Sequence, residues 1–567
     1  MTTLDLSRNP FSRFGSYITV MEHRPDSPRK PAGLAPGVWL SGVHGFHAAR
    51  ETFRIVLCRD GREVPFKVKG QPSKLIFRAD GGTVELCIAE PELVRVRARG
   101  VTLRLALREA KYNYVIKQPG PRWLVNTSQA FLFYTAYSLA GDFKVGATCD
   151  KSQATGVALV LTPPPGGEAE LALHQHVGFA EPRMVGGSFD EAVRLVASEF
   201  DAFAAPCRQA AGAEWTDTID RAALLNWSCV VGPRGHFQRP SMLMSKNWMS
   251  NVWGWDHAIN ALALSEHHPE LAWDQLLTIF DQQLPTGQIP DFINDAVRLY
   301  NYIKPPIHGW ILGLMLDRNP WFDDPARLAA FYGPLERWTE WWFRFRMREG
   351  SGLPEYYHGN DSGWDNGTVF DTGTPAASPD AAAFMVLQME MLARLARGMG
   401  KAKTAETWLA RSQDMLAKLL RHLWNGCRFV VLNGEGKIAE RSDSIFGSLP
   451  IVLGKRLPAE VRAALVAEIR RHVTEWGLAT EHPASPLYEK AGYWRGPIWA
   501  PPTLIVVEGL KAAGETGLAA DIAGRYCRLC QKSGFAENFD ALSGEPLCDP
   551  AYTWTASVFL EMRRETC

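Results

Sequence analysis

Between about residue 35 and residue 185, apolar and polar positions alternate in short runs at 51–58, 63–69, 73–78, 83–89, 93–98, 112–117, 130–138, 156–162 and 168–173. The runs are rich in Val, Ile, Leu and Phe, and Asp60-Gly61, Gly81-Gly82 and Arg99-Gly100 punctuate them. A two-residue period with glycine turns at regular spacing predicts a large antiparallel β-sandwich. At Ser188 the period changes. Residues 189–201 carry apolar side chains at helical spacing behind a serine placed to cap them. Further helices are predicted at 218–229, 257–265, 272–282, 328–346, 379–397, 402–422, 458–475, 501–512 and 519–533. Roughly 350 residues holding about a dozen helices of ordinary length suit a toroid of paired helices. No 34- or 40-residue repeat signature argues for a solenoid. The pattern therefore divides the chain into a β-sandwich over 1–187, a helical linker over 188–212 and a helical domain over 213–567.

Composition narrows the partners. The 567 residues contain 61 Lys+Arg and 61 Asp+Glu, so no basic excess points to nucleic acid or an anionic membrane. The start of the chain has no basic segment followed by an apolar core, and the apolar stretch 498–507 is short and interrupted by prolines. A cytoplasmic location and ten reduced cysteines are expected, the Cys527–Cys530 pair among them. Oligomeric state is not legible.

The candidate chemistry lies in glycine- and aromatic-rich loops of the second half. Of 20 Trp, only Trp39 and Trp123 precede residue 210. Indoles stack on the apolar faces of sugar rings and keep an N–H for hydroxyls. The motif Asn251-Val-Trp253-Gly-Trp255-Asp256-His257 puts two indoles and a carboxylate at a helix start, where Asp256 reads either as a cap or as a bidentate acceptor for sugar hydroxyls. Gly287-Gln-Ile-Pro-Asp291 and Lys304-Pro-Pro-Ile-His-Gly309 are rigid junctions that either line a pocket or only turn the chain. His358-Gly-Asn-Asp361-Ser-Gly-Trp364-Asp365-Asn366-Gly367 sets Asp365 against an indole, an apolar wall of the kind that raises a carboxyl pKa and suits a proton donor. Tyr493-Trp494-Arg495-Gly496-Pro-Ile-Trp499 places a fixed cation between indoles, for sugar hydroxyls, for a catalytic carboxylate or for a structural ion pair. Ala536-Glu537-Asn-Phe-Asp540-Ala-Leu-Ser-Gly-Glu545 supplies a second carboxylate, with Asp540 and Glu545 as rivals to Glu537. Two carboxylates across a bond are the minimum equipment for glycoside hydrolysis.

These motifs, in this order over about 215–565 and joined by Ser378-Pro-Asp380 and Tyr552-Thr-Trp554-Thr-Ala556, resemble glycoside hydrolase family 63, the group of processing α-glucosidase I and bacterial α-glucosidases. The chain is also similar to the trehalases and mannosylglycerate hydrolases that share the helical barrel. The resemblance implies an N-terminal antiparallel β-sandwich followed by an (α/α)6 barrel, and an inverting mechanism. It implies Asp365 as general acid and Glu537 as general base. Trp253, Trp255, Asp256, Lys304, Asp361, Trp364, Asn366, Trp494, Arg495, Gly496, Trp499 and Trp554 are the residues expected around the sugar. Inversion needs carboxyls roughly 6.5–9.5 Å apart. Family members commonly carry Glu where this chain has Asp361, which makes substrate identity its own question. No large insertion is evident in the barrel, which implies a smaller or more open site than in the processing enzymes.

The leading expectation is an exo-acting inverting α-glucosidase on small α-glucosides or oligosaccharides. The alternative is hydrolysis of an α-mannosyl or α-glucosyl solute such as a glycosylglycerate. The toroid also serves disaccharide phosphorylases, sugar epimerases and binding proteins. Glu537 argues against a phosphorylase, which would need a phosphate site in place of a base. Catalytic histidines would mark an epimerase, and His257, His308 and His358 lie in these motifs. An intact Asp365 and Glu537 argue against binding alone. The expected partner is a small carbohydrate. The chemistry demands no cofactor and no metal, and the carboxylates near Asn360-Asp361 match no dedicated calcium loop.

Overall fold

A computed structural model describes residues 4–25, 34–45, 51–150, 153–179, 185–209 and 213–566. Two compact units emerge: residues 1–209 with the short returns 223–233 and 245–250, and the remainder of the chain from 210.

The first unit is built on two antiparallel sheets. One runs, in spatial order, Ile18–His23, Gly37–Gly42, Glu51–Arg59, Thr102–Leu107, Gln153–Thr162 and Asp142–Asp150, with Arg62–Val64 paired to Glu51–Arg59. The other runs Tyr114–Lys117, Arg122–Thr127, Leu132–Ala140, Glu168–His176, Leu93–Arg99, Gly82–Glu90, Lys74–Ala79 and Phe66–Gln71. Residues from both sheets, among them Phe53, Leu57, Phe77, Val96, Leu105 and Leu159, share one buried cluster. The expected strand over 63–69 is split at Pro65. Arg62–Val64 belongs to the first sheet and Phe66–Gln71 to the second, because proline cannot donate to a ladder and lets the chain change sheets. Helix α1 (Phe189–Gln209), longer than the run that predicts it, is not a free linker. It belongs to this unit, where Phe189, Val196 and Phe200 pack with Cys87, Leu93 and Trp227.

The remaining helices are α2 (Thr216–Cys229), α3 (Asp256–Leu264), α4 (Pro269–Thr278), α5 (His308–Arg318), α6 (Pro325–Phe345), α7 (Pro379–Gly398), α8 (Ala402–Leu423), α9 (Ala459–Arg471), α10 (Ala500–Ala513), α11 (Thr516–Ser533) and α12 (Thr553–Met562). A tighter helical stretch spans Ile445–Arg456. In the second unit the neighbours α3, α5, α7, Ile445–Arg456, α10 and α12 pack in that cyclic order, and α12 closes on α3. These six form the inner ring of an (α/α)6 barrel. Outer helices follow inner ones in sequence, as α4 follows α3 and α8 follows α7, so the inner helices share one direction and their N-termini one end. Every position of α12 is buried, as is α10 through Leu510, whereas α8 buries only Ala405, Trp408, Ser412, Met415, Leu419 and Leu423 along one stripe. Among the described residues no helix is long and apolar enough to cross a membrane.

Candidate active site

The motif loops precede the inner helices: Trp253–Trp255 before α3, Lys304–Pro306 before α5, His358–Ser378 before α7, Tyr493–Trp499 before α10 and Glu537–Tyr552 before α12. One end of the ring therefore collects the chemistry.

Asp365 follows a tight turn at Gly359–Ser362 closed by Gly363 in the left-handed region, φ 75°. A Cβ at Gly363 would lie 2.3 Å from Trp255, and one at Gly359 would lie 2.2 Å from the Asp365 carbonyl oxygen, so only glycine admits this path. Asn366 locks the loop to its neighbour: its Nδ2 donates to the Gly492 carbonyl (3.0 Å) and its Oδ1 accepts from the Trp494 N–H (3.0 Å). Asp361 is fully committed. Oδ1 accepts from Ile303 N–H (3.1 Å), and Oδ2 accepts from Arg346 (2.7 Å) and from Tyr357 N–H (2.8 Å). Asp361 thus shapes the loop rather than offering a free oxygen. Arg346 is buried and lies over the Tyr357 ring, 3.9 Å from its centroid. Arg346→Ala would strand the buried Asp361 carboxylate, and a destabilisation of about 3–5 kcal/mol is expected in equilibrium unfolding; a loss under ~1 kcal/mol would refute this role.

An unbroken aromatic spine joins the two carboxylate loops. Trp364 stacks on Trp494 (4.9 Å), Trp494 on Trp499 (3.8 Å, 7° between planes), and Trp499 meets Trp554 edge-on (5.6 Å). Trp554 then meets Trp255 edge-on (6.2 Å), and its Nε1 donates to the Glu537 carbonyl (3.3 Å). Trp364 and Trp499 cover the two faces of Trp494, which makes Trp494 wall rather than a sugar platform. Trp253 is only half-buried and leans on Phe292.

The Glu537 carboxylate accepts from the Tyr493 hydroxyl (3.1 Å) and from Asp549 N–H (3.2 Å). Tyr493 holds φ 64°, a strained value for a non-glycine residue. It sits next to the Asn366–Trp494 bond, so one residue connects the Asp365 loop to Glu537. Both carboxylates act on Tyr493, whose hydroxyl is pushed well above its usual pKa by burial first and then by Glu537 and Asp365. The rivals to Glu537 have other work. Asp540 accepts from Ser543 N–H (3.1 Å) and Tyr488 (3.2 Å), and Glu545 faces Lys490. Burial pushes Asp540 up, but the donors from Ser543, Leu542 and Tyr488 hold it below the ordinary value.

The electrostatics separate the groups. Burial raises the Asp365 carboxyl, with Lys304 opposing and Asp291 adding. No other side chain hydrogen-bonds it among the described residues; its own backbone does. Asp256 is pushed up to about 8, chiefly by burial, with Lys304 opposing and Asp291 and Glu537 adding. Lys304 is buried, pairs with Asp291 (2.9 Å) and donates to the Asn360 carbonyl (2.6 Å) and Oδ1 (2.9 Å). Asp256, Asp291, Lys304, Asp365, Glu537 and Tyr493 therefore form one coupled group. Arg495 forks onto Asp371 (2.8 and 3.0 Å), the structural ion pair its sequence allowed. Gly496 N–H donates to Thr480 Oγ1 (3.0 Å) and its carbonyl accepts from Thr480 N–H (3.2 Å), where a Cβ would lie 2.7 Å from the Glu489 carbonyl oxygen. His257 and His308 are buried as a ring pair (5.1 Å) behind α3 and α5, and burial lowers both below the ordinary histidine value. Sequence reasoning did not single out Arg346, Asp549 or the Tyr493 hydroxyl. Only Tyr493 had a local signal, from its place in the Trp-rich motif.

Removing the Tyr493 hydroxyl tests the bridge. Tyr493→Phe is expected to lower kcat roughly tenfold to a hundredfold, part of the 10²–10⁴ that acid–base catalysis contributes, with little change in KM. An unchanged kcat would rule out Tyr493 as the residue that orients Glu537.

A toroid with an aromatic-walled end and two carboxyls in contrasting settings is the equipment of a glycoside hydrolase. Comparison with known proteins agrees. Residues 249–555 match the family described as mannosylglycerate hydrolase MGH1-like glycoside hydrolase domain. The chain is 23% identical over 393 residues to the mannosylglycerate hydrolase of Thermus thermophilus, covering 54% of this chain and 93% of that one. It is 22% identical over 448 residues to the mannosylglycerate hydrolase of Rubrobacter radiotolerans, covering 62% and 98%. Among solved structures, a family 63 mannosylglycerate hydrolase from Thermus thermophilus in complex with glucose superposes with TM-score 0.53 at 21% identity, over 60% of this chain and 98% of that one. A bacterial glucoamylase complexed with acarbose superposes with TM-score 0.63 at 11% identity, over 99% and 94%, a likeness of fold that extends through the sheets. The chain belongs to the MGH1-like glycoside hydrolases of family 63.

Proposed function

We propose that this enzyme is an exo-acting, inverting hydrolase of a small α-glycoside of the glycosylglycerate type, with an α-mannosyl or α-glucosyl unit as the sugar it releases. The observation that carries this reading is the family match over 249–555, which spans every motif gathered at the N-terminal end of the inner ring. The α-glucosidase reading, which the resemblance put first, takes second place for the same reason. In this scheme Asp365 protonates the glycosidic oxygen as the bond to the anomeric carbon breaks. Glu537, oriented by Tyr493 and Asp549, takes a proton from the water that attacks the opposite face. Asp256 grips hydroxyls of the cleaved sugar, with Trp253 and Trp255 beside it, while Lys304 holds Asp291 and the Asn360 loop in place.

The test is incubation with α-glucosyl and α-mannosyl glycerates and simple α-glucosides, following the anomeric proton by NMR. Release of a β-anomer first, from a glycosylglycerate in preference to simple glucosides, is expected. Preference for simple α-glucosides would restore the α-glucosidase reading, and an initial α-anomer would sink the inverting scheme.

A further inference from the structure

We propose that Asp443, Glu468 and His472 form a binding site for a divalent transition-metal ion of the zinc type, apart from the catalytic carboxylates. One ligand atom from each residue lies within 4.8 Å of the others. Glu468 and His472 stand four residues apart at the end of α9 and so share a face of that helix. Asp443 arrives from the segment just before Ile445–Arg456. Its N–H donates to Glu481 (2.9 Å), and its carbonyl accepts from His482 N–H (2.9 Å).

His472 carries the argument. Its side chain is fully buried, and its Nδ1 lies 3.0 Å from the Ala479 carbonyl. A carbonyl only accepts, so Nδ1 donates to it and Nε2 is the ring atom left to face the cluster. Nε2 has no hydrogen-bond partner and points toward the Glu468 carboxylate, 3.4 Å from Oε1. A buried ring nitrogen set beside two carboxylates is a donor set that a metal ion can bridge. A backbone carbonyl on the far nitrogen is also the usual way to orient a metal-ligating imidazole.

Arg471 holds both carboxylates in place, 2.8 Å from Asp443 Oδ2 and 2.7 Å from Glu468 Oε2. Two carboxylates and one guanidinium leave a single negative charge for the ion to offset. One nitrogen and two oxygens favour zinc or a similar borderline ion over calcium, which prefers a cage of oxygens. Asp443 and Glu468 are partly exposed, so water can complete the coordination. The ion would tie α9 to the stretch around Glu481, which in turn accepts from Thr368, three residues beyond Asp365.

The experiment titrates the chelator-stripped full chain with Zn²⁺ against a competing indicator, with native mass spectrometry for stoichiometry. One equivalent is expected. Its affinity should fall at least about tenfold in Glu468→Gln and further in His472→Ala, the scale that loss of groups around a metal produces. Zn²⁺ should also raise the Tm of the parent chain but not of the isosteric Glu468→Gln chain. Substituting Co²⁺ separates this site from the exposed thiols Cys149, Cys427 and Cys548: a spectrum without thiolate charge transfer supports it. Absence of uptake, uptake indifferent to Glu468→Gln and His472→Ala, or a thiolate band would overturn the proposal and leave His472 as an imidazolium paired with Glu468.

Discussion

Asp365→Asn is expected to lower turnover of natural substrates by about 10³-fold or more, the upper range for losing a general acid, while folding and sugar binding survive. Its carboxyl is raised by burial, so it keeps its proton into the pH range where an exposed aspartate has lost it. The sign follows. Activity that needs the protonated acid is full below its pKa and declines as pH rises through it, so Asp365 sets the alkaline limb of the rate profile. The variant should therefore lose that limb along with its rate. It should also retain far more activity on a glycosyl fluoride, whose leaving group needs no proton. An unchanged rate on natural substrates would remove Asp365 from the role. The bonds described for Asp361 and Asp540 make neither a ready replacement.

Glu537→Gln is expected to cost a similar factor, and the glycosyl fluoride should not rescue it, because water must still be deprotonated. The two substrates thus assign the roles independently. Gln can accept from Asp549 N–H with its carbonyl oxygen while its NH2 donates to the Tyr493 hydroxyl oxygen, so the loop should stand and the loss should appear in kcat. Equal rescue of both variants by the fluoride would mean that the roles are wrongly divided. Retained turnover of natural substrates in Glu537→Gln would reject it as the base.

The sheets and the outer helices were legible because each has one wet face. The residues of α8 and α9 alternate burial and exposure, and the predicted spans of 402–422 and 458–475 correspond to Ala402–Leu423 and Ala459–Arg471. Three inner elements were not anticipated: His308–Arg318, Ile445–Arg456 and Thr553–Met562. They show no apolar stripe, being buried on nearly every side, but α10 is as deeply buried and was anticipated at 501–512, so burial alone does not hide a helix; Pro450 and Gly454 disguise the second of the three. The two carboxyls proposed as acid and base stood out in the sequence because loops rich in glycine and tryptophan surround them. What Asp361 does was not. Its partner Arg346 lies fifteen residues away at the end of α6, and nothing in the spacing announces the pair. For Arg495 the motif left three readings open, and its fork onto Asp371 is the structural ion pair among them.

The indole spine has a consequence for how this site tolerates change. The acid and base loops lean on the same row of rings, so substitutions along it are epistatic: shrinking Trp499 disturbs both loops, and a further cut at Trp494 adds less than its separate cost because their shared stack is already broken. Variation in the spine is thus filtered as a block. Residues off it, such as the half-buried Trp253, are the cheaper route by which a lineage or an engineer would shift the sugar accepted while the two carboxyls keep their places.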